Sequence, residues 1–250
     1  MFHRVGYSAA GHTLERPSFP DNLQEAPLAI GGITPFSTVD CPGAVSTVFY
    51  VRGCPFRCPY CHNPSLRETA GPGRAGEDIL SFLTQRAGFI ETLVLSGGEP
   101  LMRLPDIRRI GAMARSLGYR IAMHTTGYYP HSLQSFMASC RLSWVGMDLK
   151  ADRDGYPGIC GKADGYDRMT RSLGLLRESG VPVEVRTTIS PEVADDRGLD
   201  RLVAAYDELS VERPVWQVMA HRGRTDISLK KRLNDYLDRY NLADRIVLRG

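Results

Sequence analysis

Val45-Ser46-Thr47-Val48-Phe49-Tyr50-Val51 leads through Arg52 into Gly53-Cys54-Pro55-Phe56-Arg57-Cys58-Pro59-Tyr60-Cys61-His62-Asn63-Pro64. The first part is a short apolar run rich in β-branched and aromatic residues, as expected of a strand covered on both faces. Similar runs follow at 92–95, 120–123, 144–147, 183–189, 215–219 and 246–248. Between them, segments near 77–87, 105–117, 131–139, 166–179, 198–209 and 228–240 have helical spacing. In 105–117, Ile107, Ile110, Ala114 and Leu117 fall on one face at separations of three and four. Strand and helix thus alternate six times, which predicts an α/β fold of parallel strands joined by right-handed crossovers. Periodicity leaves two closures open: a doubly wound open sheet, or a full or partial β/α barrel.

Upstream of this pattern, residues 1–27 are rich in Gly, Pro, Ser and His and have no period. They read as a flexible tail. Residues 28–250 contain no linker, internal repeat or low-complexity block and read as one domain. The 250 residues include 42% apolar types, enough for a continuous core and too many for a disordered chain. A net charge of +3, from 31 basic and 28 acidic residues, gives no sign of a nucleic-acid or membrane partner. No stretch approaches the roughly 18 apolar residues of a membrane span, and residues 1–20 lack the apolar run of a signal peptide. The expectation is a cytoplasmic protein. Six cysteines, three of them within eight positions, suit metal binding or redox chemistry better than a secreted disulfide framework.

Cys54, Cys58 and Cys61 follow the first strand directly. Thiolates are the ligands of iron–sulfur clusters, and cubane clusters usually take four of them. Cys41, Cys140 and Cys160 are distant in sequence, so the simplest reading leaves one iron without a cysteine. A catalytic metal site keeps such an open position, whereas a structural site fills it. The alternative is zinc on Cys54, Cys58, Cys61 and His62. Adjacent Cys61 and His62 would have difficulty reaching one tetrahedral ion from a short loop.

Cys-x3-Cys-x-aromatic-Cys, with Tyr60 as the aromatic residue, resembles the signature of the radical S-adenosylmethionine superfamily. Cys61-His62-Asn63-Pro64 and the lead-in Ser37-Thr38-Val39-Asp40-Cys41-Pro42-Gly43 narrow the match. They resemble the activating enzymes of glycyl-radical proteins, particularly those of anaerobic ribonucleoside-triphosphate reductase. The resemblance covers about residues 28–250, and Cys41 departs from it where relatives usually carry Tyr. It implies a partial (β/α)6 barrel with outer helices, one 4Fe–4S cluster on Cys54, Cys58 and Cys61, and S-adenosylmethionine as the second cofactor.

Other segments take their roles from the same resemblance. Ser96-Gly97-Gly98-Glu99-Pro100 ends the second strand; alone it is a turn, whose glycines let backbone approach a ligand closely. It resembles the family element whose backbone and Glu hold the cofactor's amino group. His124-Thr125-Thr126-Gly127 ends the third strand, with Thr126 as a hydroxyl partner; many relatives have an acid where His124 stands. Asp148 and Lys150 point to one side of a strand and alone would be a surface ion pair. In the family Asp-x-Lys faces the cofactor, and Lys150 would neutralise its carboxylate. Arg186 lies within an apolar strand and needs an anionic partner or solvent; the resemblance makes that partner the same carboxylate, reached by two parallel hydrogen bonds. His221 follows the sixth strand, where a branch of the family places a His against adenosine; the alternative is a histidine that caps the strand.

All these candidates lie at or near C-terminal strand ends, where β/α barrels and open sheets build active sites. The implied reaction is that of an oxidoreductase. One electron from the reduced cluster cleaves the sulfonium to methionine and a 5′-deoxyadenosyl radical, which takes hydrogen from a glycine of a partner reductase. A low-potential donor such as flavodoxin or ferredoxin would supply the electron. Two alternatives differ in class: a radical enzyme acting on a small molecule, such as a deazapurine synthase, and a ferredoxin-like electron carrier. A carrier would not bind S-adenosylmethionine.

Overall fold

In the computed structural model the described residues are 27–221 and 224–250. The tail predicted over 1–27 lies outside them except for Pro27. The elements in chain order are β1 (Ile30–Ser37), β2 (Ser46–Val51), α1 (Gly76–Thr84), β3 (Thr92–Gly97), α2 (Leu104–Ser116), β4 (Arg120–Thr125), α3 (Pro130–Met137) and β5 (Leu142–Asp148). There follow α4 (Tyr156–Cys160), α5 (Gly165–Glu178), β6 (Val183–Ile189), α6 (Asp196–Glu208), β7 (Val215–Val218), the short pair β8 (Ala220–His221) and β9 (Arg224–Thr225), α7 (Ile227–Arg239) and β10 (Val247–Arg249). Local signals start the helices. Pro105 occupies the first turn of α2, where its missing N–H costs nothing. Asp195 and Asp226 accept from the N–H groups of Gly198 at 2.6 Å and Leu229 at 3.0 Å, capping α6 and α7.

Eight strands form one sheet in the order β1-β2-β3-β4-β5-β6-β7-β10, with β2 onward parallel and β1 antiparallel to β2. Spatial order therefore repeats chain order. Right-handed crossovers that never reverse direction put their helices on one face of the sheet, whereas a doubly wound sheet requires a switch point. The topology decides for the barrel-type arrangement of six β/α units, β2 through α7. The outer edges of β1 and β10 do not pair with each other, so the barrel is partial.

Every predicted strand and helix forms, most with ends shifted by one to three residues. Besides the two-residue strands β8 and β9, one strand of the main sheet was not expected. β1 contains Gly31, Gly32 and Pro35, which hide its strand character, and its register against β2 shifts between Ile30 and Gly32 and again between Thr34 and Ser37. The five-residue α4 was also unexpected. It buries Cys160 completely, with the thiol donating to the Tyr156 carbonyl at 3.0 Å.

Alternate residues of each strand divide between two environments. Phe49, Leu93, Leu95, Ile121, Met123, Val145 and Met147 pack in the main core with residues such as Ile79, Ile107, Ile110 and Leu133 of the helices. Val48, Val94 and Ala122 form a separate small cluster on the concave face. Cys41 completes that cluster, so the chain between β1 and β2 turns back under the concave face. No helix among the described residues is long and apolar enough to cross a membrane.

Candidate active site

Towards their C-terminal ends the strands change what they present to the concave side. Register aligns Tyr50 with Ser96, His124 with Gly146, Asp148 with Arg186, and Thr188 and Arg249 with Gln217. This polar band and the cysteine loop enclose one cavity of about 430 Å³. Cys54, Cys58, Tyr60, Cys61, Ser96, Gly97, Gly98, Thr126, Asp148, Lys150 and Arg186 all line it. Glu99 does not. The backbone of His221 lies in β8, and its side chain falls outside the described residues.

The cysteine loop is held by its backbone. Gly53 N–H donates to the Leu66 carbonyl at 2.8 Å, Cys54 N–H to Arg67 at 3.1 Å, and Arg57 N–H to Cys160 at 3.0 Å. Gly53 has φ +99°, which favours glycine and starts the loop as β2 ends. Burial pushes the Cys54 thiol up to about 12 and also raises Cys58. Such thiols become thiolates only beside strong positive charge, which an iron centre supplies. Cys41, Cys140 and Cys160 are absent from the cavity wall. Among the described residues no three His, Cys, Asp or Glu side chains gather tightly enough for a single ion. Three thiols around one cavity suit a multi-iron cluster with one open position.

Beside the thiols lies a charged trio. Lys150 Nζ is 2.9 Å from Asp148 Oδ2, and an Arg186 terminal nitrogen is 3.4 Å from Oδ1. Burial pushes the Asp148 carboxyl up, but the adjacent Lys150 and Arg186 outweigh it and hold the group below the usual carboxylate range. Lys150 is therefore already paired, beyond the end of β5 rather than within it. Two cations and one anion leave one positive charge, and the buried Arg186 Nε has no hydrogen-bond partner. An anionic ligand such as the cofactor carboxylate fits that charge and that free N–H. The Tyr60 hydroxyl is likewise buried and unpartnered.

Glu99 serves the wall from behind. Its fully buried carboxylate accepts from Leu101 N–H at 3.1 Å, the Thr125 hydroxyl at 2.7 Å, and Thr126 N–H and hydroxyl at 2.7 and 2.6 Å. Burial nevertheless raises its pKa. The carboxylate thus ties the end of β3 to the end of β4 and orients Thr126. Gly97 and Gly98 have a packing reason to be glycine. A Cβ on Gly97 would lie 2.2 Å from Val51 N, and one on Gly98 2.3 Å from the Gly53 carbonyl oxygen.

His124 lies on the wall with Nε2 2.7 Å from the Asp40 carbonyl oxygen, which can only accept, so Nε2 carries the proton. Nδ1 is then left to accept from the Ser96 hydroxyl at 3.5 Å. Burial first, and Arg186 second, lower its pKa to about 4, so the ring is neutral near pH 7. The wall also includes Asp40, Tyr50, Arg67, Thr188, Gln217 and Arg249, which were not singled out from the sequence. Their signal was available in part: Thr188 and Gln217 are polar residues in phase with Arg186 and Asp148 on neighbouring strands. Gly146 was missed too. A Cβ there would lie 2.6 Å from Arg186 Cζ, so its absence makes room for the guanidinium.

Comparison with known proteins agrees with this geometry. Residues 48–202 match the model of the radical SAM superfamily. A pyruvate formate-lyase-activating enzyme of Clostridium pasteurianum is 30% identical over 175 residues, 67% of this chain and 71% of its own. A Methanocaldococcus jannaschii protein described as a glycyl-radical enzyme activating enzyme is 29% identical over 179 residues, 68% of this chain and 72% of its own. Among solved structures, SuiB of Streptococcus suis bound to precursor peptide SuiA superposes with TM-score 0.60 at 16% identity, over 81% of this chain and 48% of that one. The anSMEcpe protein with bound AdoMet and the Kp18Cys peptide gives TM-score 0.60 at 14% identity, over 79% of this chain and 60% of that one. At such identities these two show likeness of fold alone.

Proposed function

The chain belongs to the radical SAM superfamily, in its glycyl-radical enzyme activating branch, and from that premise we propose that it installs the glycyl radical of an anaerobic ribonucleoside-triphosphate reductase. The observation that carries the radical chemistry is one cavity in which three thiols, a charged trio with one spare positive charge, and Thr126 converge at C-terminal strand ends; the choice of this reductase rests on the resemblance of residues 37–43 and 61–64. Cys54, Cys58 and Cys61 would hold a 4Fe–4S cluster. The cluster and S-adenosylmethionine together supply one-electron cleavage of the sulfonium and a 5′-deoxyadenosyl radical. Arg186, with Lys150 held by Asp148, would bind the cofactor carboxylate. Ser96, the Gly97–Gly98 turn and Thr126 would bind its polar methionine end, and Tyr60 and His221 would border the adenosine. Glu99 is assigned to positioning, since its oxygens are occupied by Leu101, Thr125 and Thr126.

The gap between the free edges of β1 and β10 favours a protein loop over a small molecule as the group attacked. Thr188 and Gln217 on that side offer a hydroxyl and an amide suited to polypeptide backbone. A low-potential donor, flavodoxin or ferredoxin, would reduce the cluster, and the cytoplasm would keep the six free cysteines reduced.

The test uses reconstituted, reduced protein with S-adenosylmethionine and an anaerobic ribonucleotide reductase deuterated at its glycine α-positions. The expected outcome is a glycyl radical by electron paramagnetic resonance and deuterium in the released 5′-deoxyadenosine. Cofactor cleavage with neither a glycyl radical nor deuterium transfer would refute this reductase as the partner.

A further inference from the structure

The stretch 52–74, which contains the cysteine loop, carries Arg52, Arg57, Arg67 and Arg74 against one acid, Glu68. None of these arginines, nor the neighbouring Arg103, is in an ion pair among the described residues, whereas Arg168, Arg239, Arg245 and Arg249 each face a carboxylate. Their hydrogen bonds go to backbone instead. Arg57 reaches the Cys54 and Phe56 carbonyls at 3.3 Å each, and Arg103 the Arg52 and Thr69 carbonyls at 3.1 and 2.7 Å. A guanidinium bonded only to neutral carbonyls keeps its full charge.

Arg52, Arg57, Arg74 and Arg103 lie off the cavity wall, which of the five only Arg67 lines, and Arg57 and Arg74 are exposed. Arg57 sits between two proposed cluster ligands, with its backbone N–H on Cys160. Arg115 and Arg141 line another cleft at the opposite end of the strands, where an incoming electron would have to cross the whole sheet.

We propose that the arginine-rich outer side of the cysteine loop is the docking surface for an acidic one-electron carrier protein. The inference rests on the reading of Cys54, Cys58 and Cys61 as cluster ligands. In the step served, the reduced carrier is oxidised by one electron and the cluster is reduced by one, with no bond made or broken and no proton required. The cavity is committed to cofactor and substrate, so the electron enters through the outer side of the loop. Opposite charge speeds encounter and fixes orientation, and both effects weaken with salt.

The test uses flavodoxin, an acidic carrier, with the reconstituted protein. Titration gives the affinity of oxidised flavodoxin, and stopped-flow absorbance gives cluster reduction by photoreduced flavodoxin. For wild type, affinity should fall about tenfold between roughly 50 and 300 mM salt. The double variant Arg57→Glu with Arg74→Glu should lose about tenfold at low salt and lose most of the salt slope. Its iron content and its reduction by dithionite should match wild type. Arg57→Gln with Arg74→Gln should fall between, which covers the case where reversed charge prevents cluster assembly. Wild-type affinity and slope in both variants would overturn the assignment, as would equal slowing with dithionite. Normal flavodoxin binding with weakened reductase binding would give the surface to the substrate protein and also overturn it. Failure to form a glycyl radical would refute the proposed function and leave these measurements unaffected.

Discussion

On the helix-covered side of the sheet, β2 to β5 place Phe49, Leu93, Leu95, Met123 and Met147, all fully buried in the main core. On the concave side the neighbouring positions of the same strands are Tyr50, Ser96, His124 and Asp148, all on the cavity wall. Residues one position apart thus serve different ends. Apolar burial on one face contributes most of the stability, at roughly 25 cal/mol per Å², and that surplus lets the other face hold groups that no folding argument would select. Asp148, Lys150, Arg186 and a neutral His124 share a few turns of space, which is tolerable only because each is paired, hydrogen-bonded or poised for a ligand.

The comparison breaks most sharply at the cysteines. Replacing Cys54, Cys58 or Cys61 with Ala should abolish the cluster with little loss of fold. Cys140→Ala should leave iron content near wild type. Equal iron loss in Cys140→Ala, by colorimetric assay, would end the three-ligand assignment. Next, Leu93→Ala on the helix side should cost about 2–5 kcal/mol in urea unfolding, while the folded fraction binds S-adenosylmethionine normally. Arg186→Ala should do the reverse: a charge-assisted bond is worth roughly 1.5–3 kcal/mol, so cofactor affinity should drop about tenfold or more with cluster content intact. Unchanged affinity by titration would remove Arg186 from the site.

A smaller effect concerns pH. The folded value of His124, about 4, lies below its ordinary 6.5, so between those values the unfolded chain binds more protons than the folded one. Stability should therefore fall with pH below about 6.5, by roughly 2 kcal/mol at about pH 5. His124→Gln should remove that part of the pH dependence in parallel urea titrations; an identical profile in both proteins would show that the ring titrates normally. The smallest effect is expected at Gly146. Gly146→Ala places a Cβ against Arg186 and should weaken cofactor binding about threefold through displacement of the guanidinium, leaving the helix-side core and the urea midpoint almost unchanged.

Most of this division was legible in the sequence. Continuous apolar runs located the parallel strands, which are covered on both faces, and a period of 3.6 on one apolar face located their helices. The site was legible where residue type is unusual for its place, as with Arg186 in an apolar strand or three cysteines in a short loop. What escaped depended on partners far away in the chain. Nothing local tells that Glu99 turns towards Thr125 and Thr126, or that His124 reaches the Asp40 carbonyl across 84 residues. β1 escaped because Gly31, Gly32 and Pro35 are poor strand formers that survive at an edge, where one side of the strand needs no partner.

That edge has a consequence for self-association. A closed barrel exposes no unpaired backbone, whereas here the outer edges of β1 and β10 are unpaired among the described residues, each able to template another chain. The features that made β1 hard to recognise make it a poor template. Pro35 removes a donor, the paired glycines weaken the strand, and two register shifts interrupt its regularity. At the other border, β10 is three residues long, too short to recruit a foreign strand. The opening can thus remain accessible without turning the protein into the seed of a fibre.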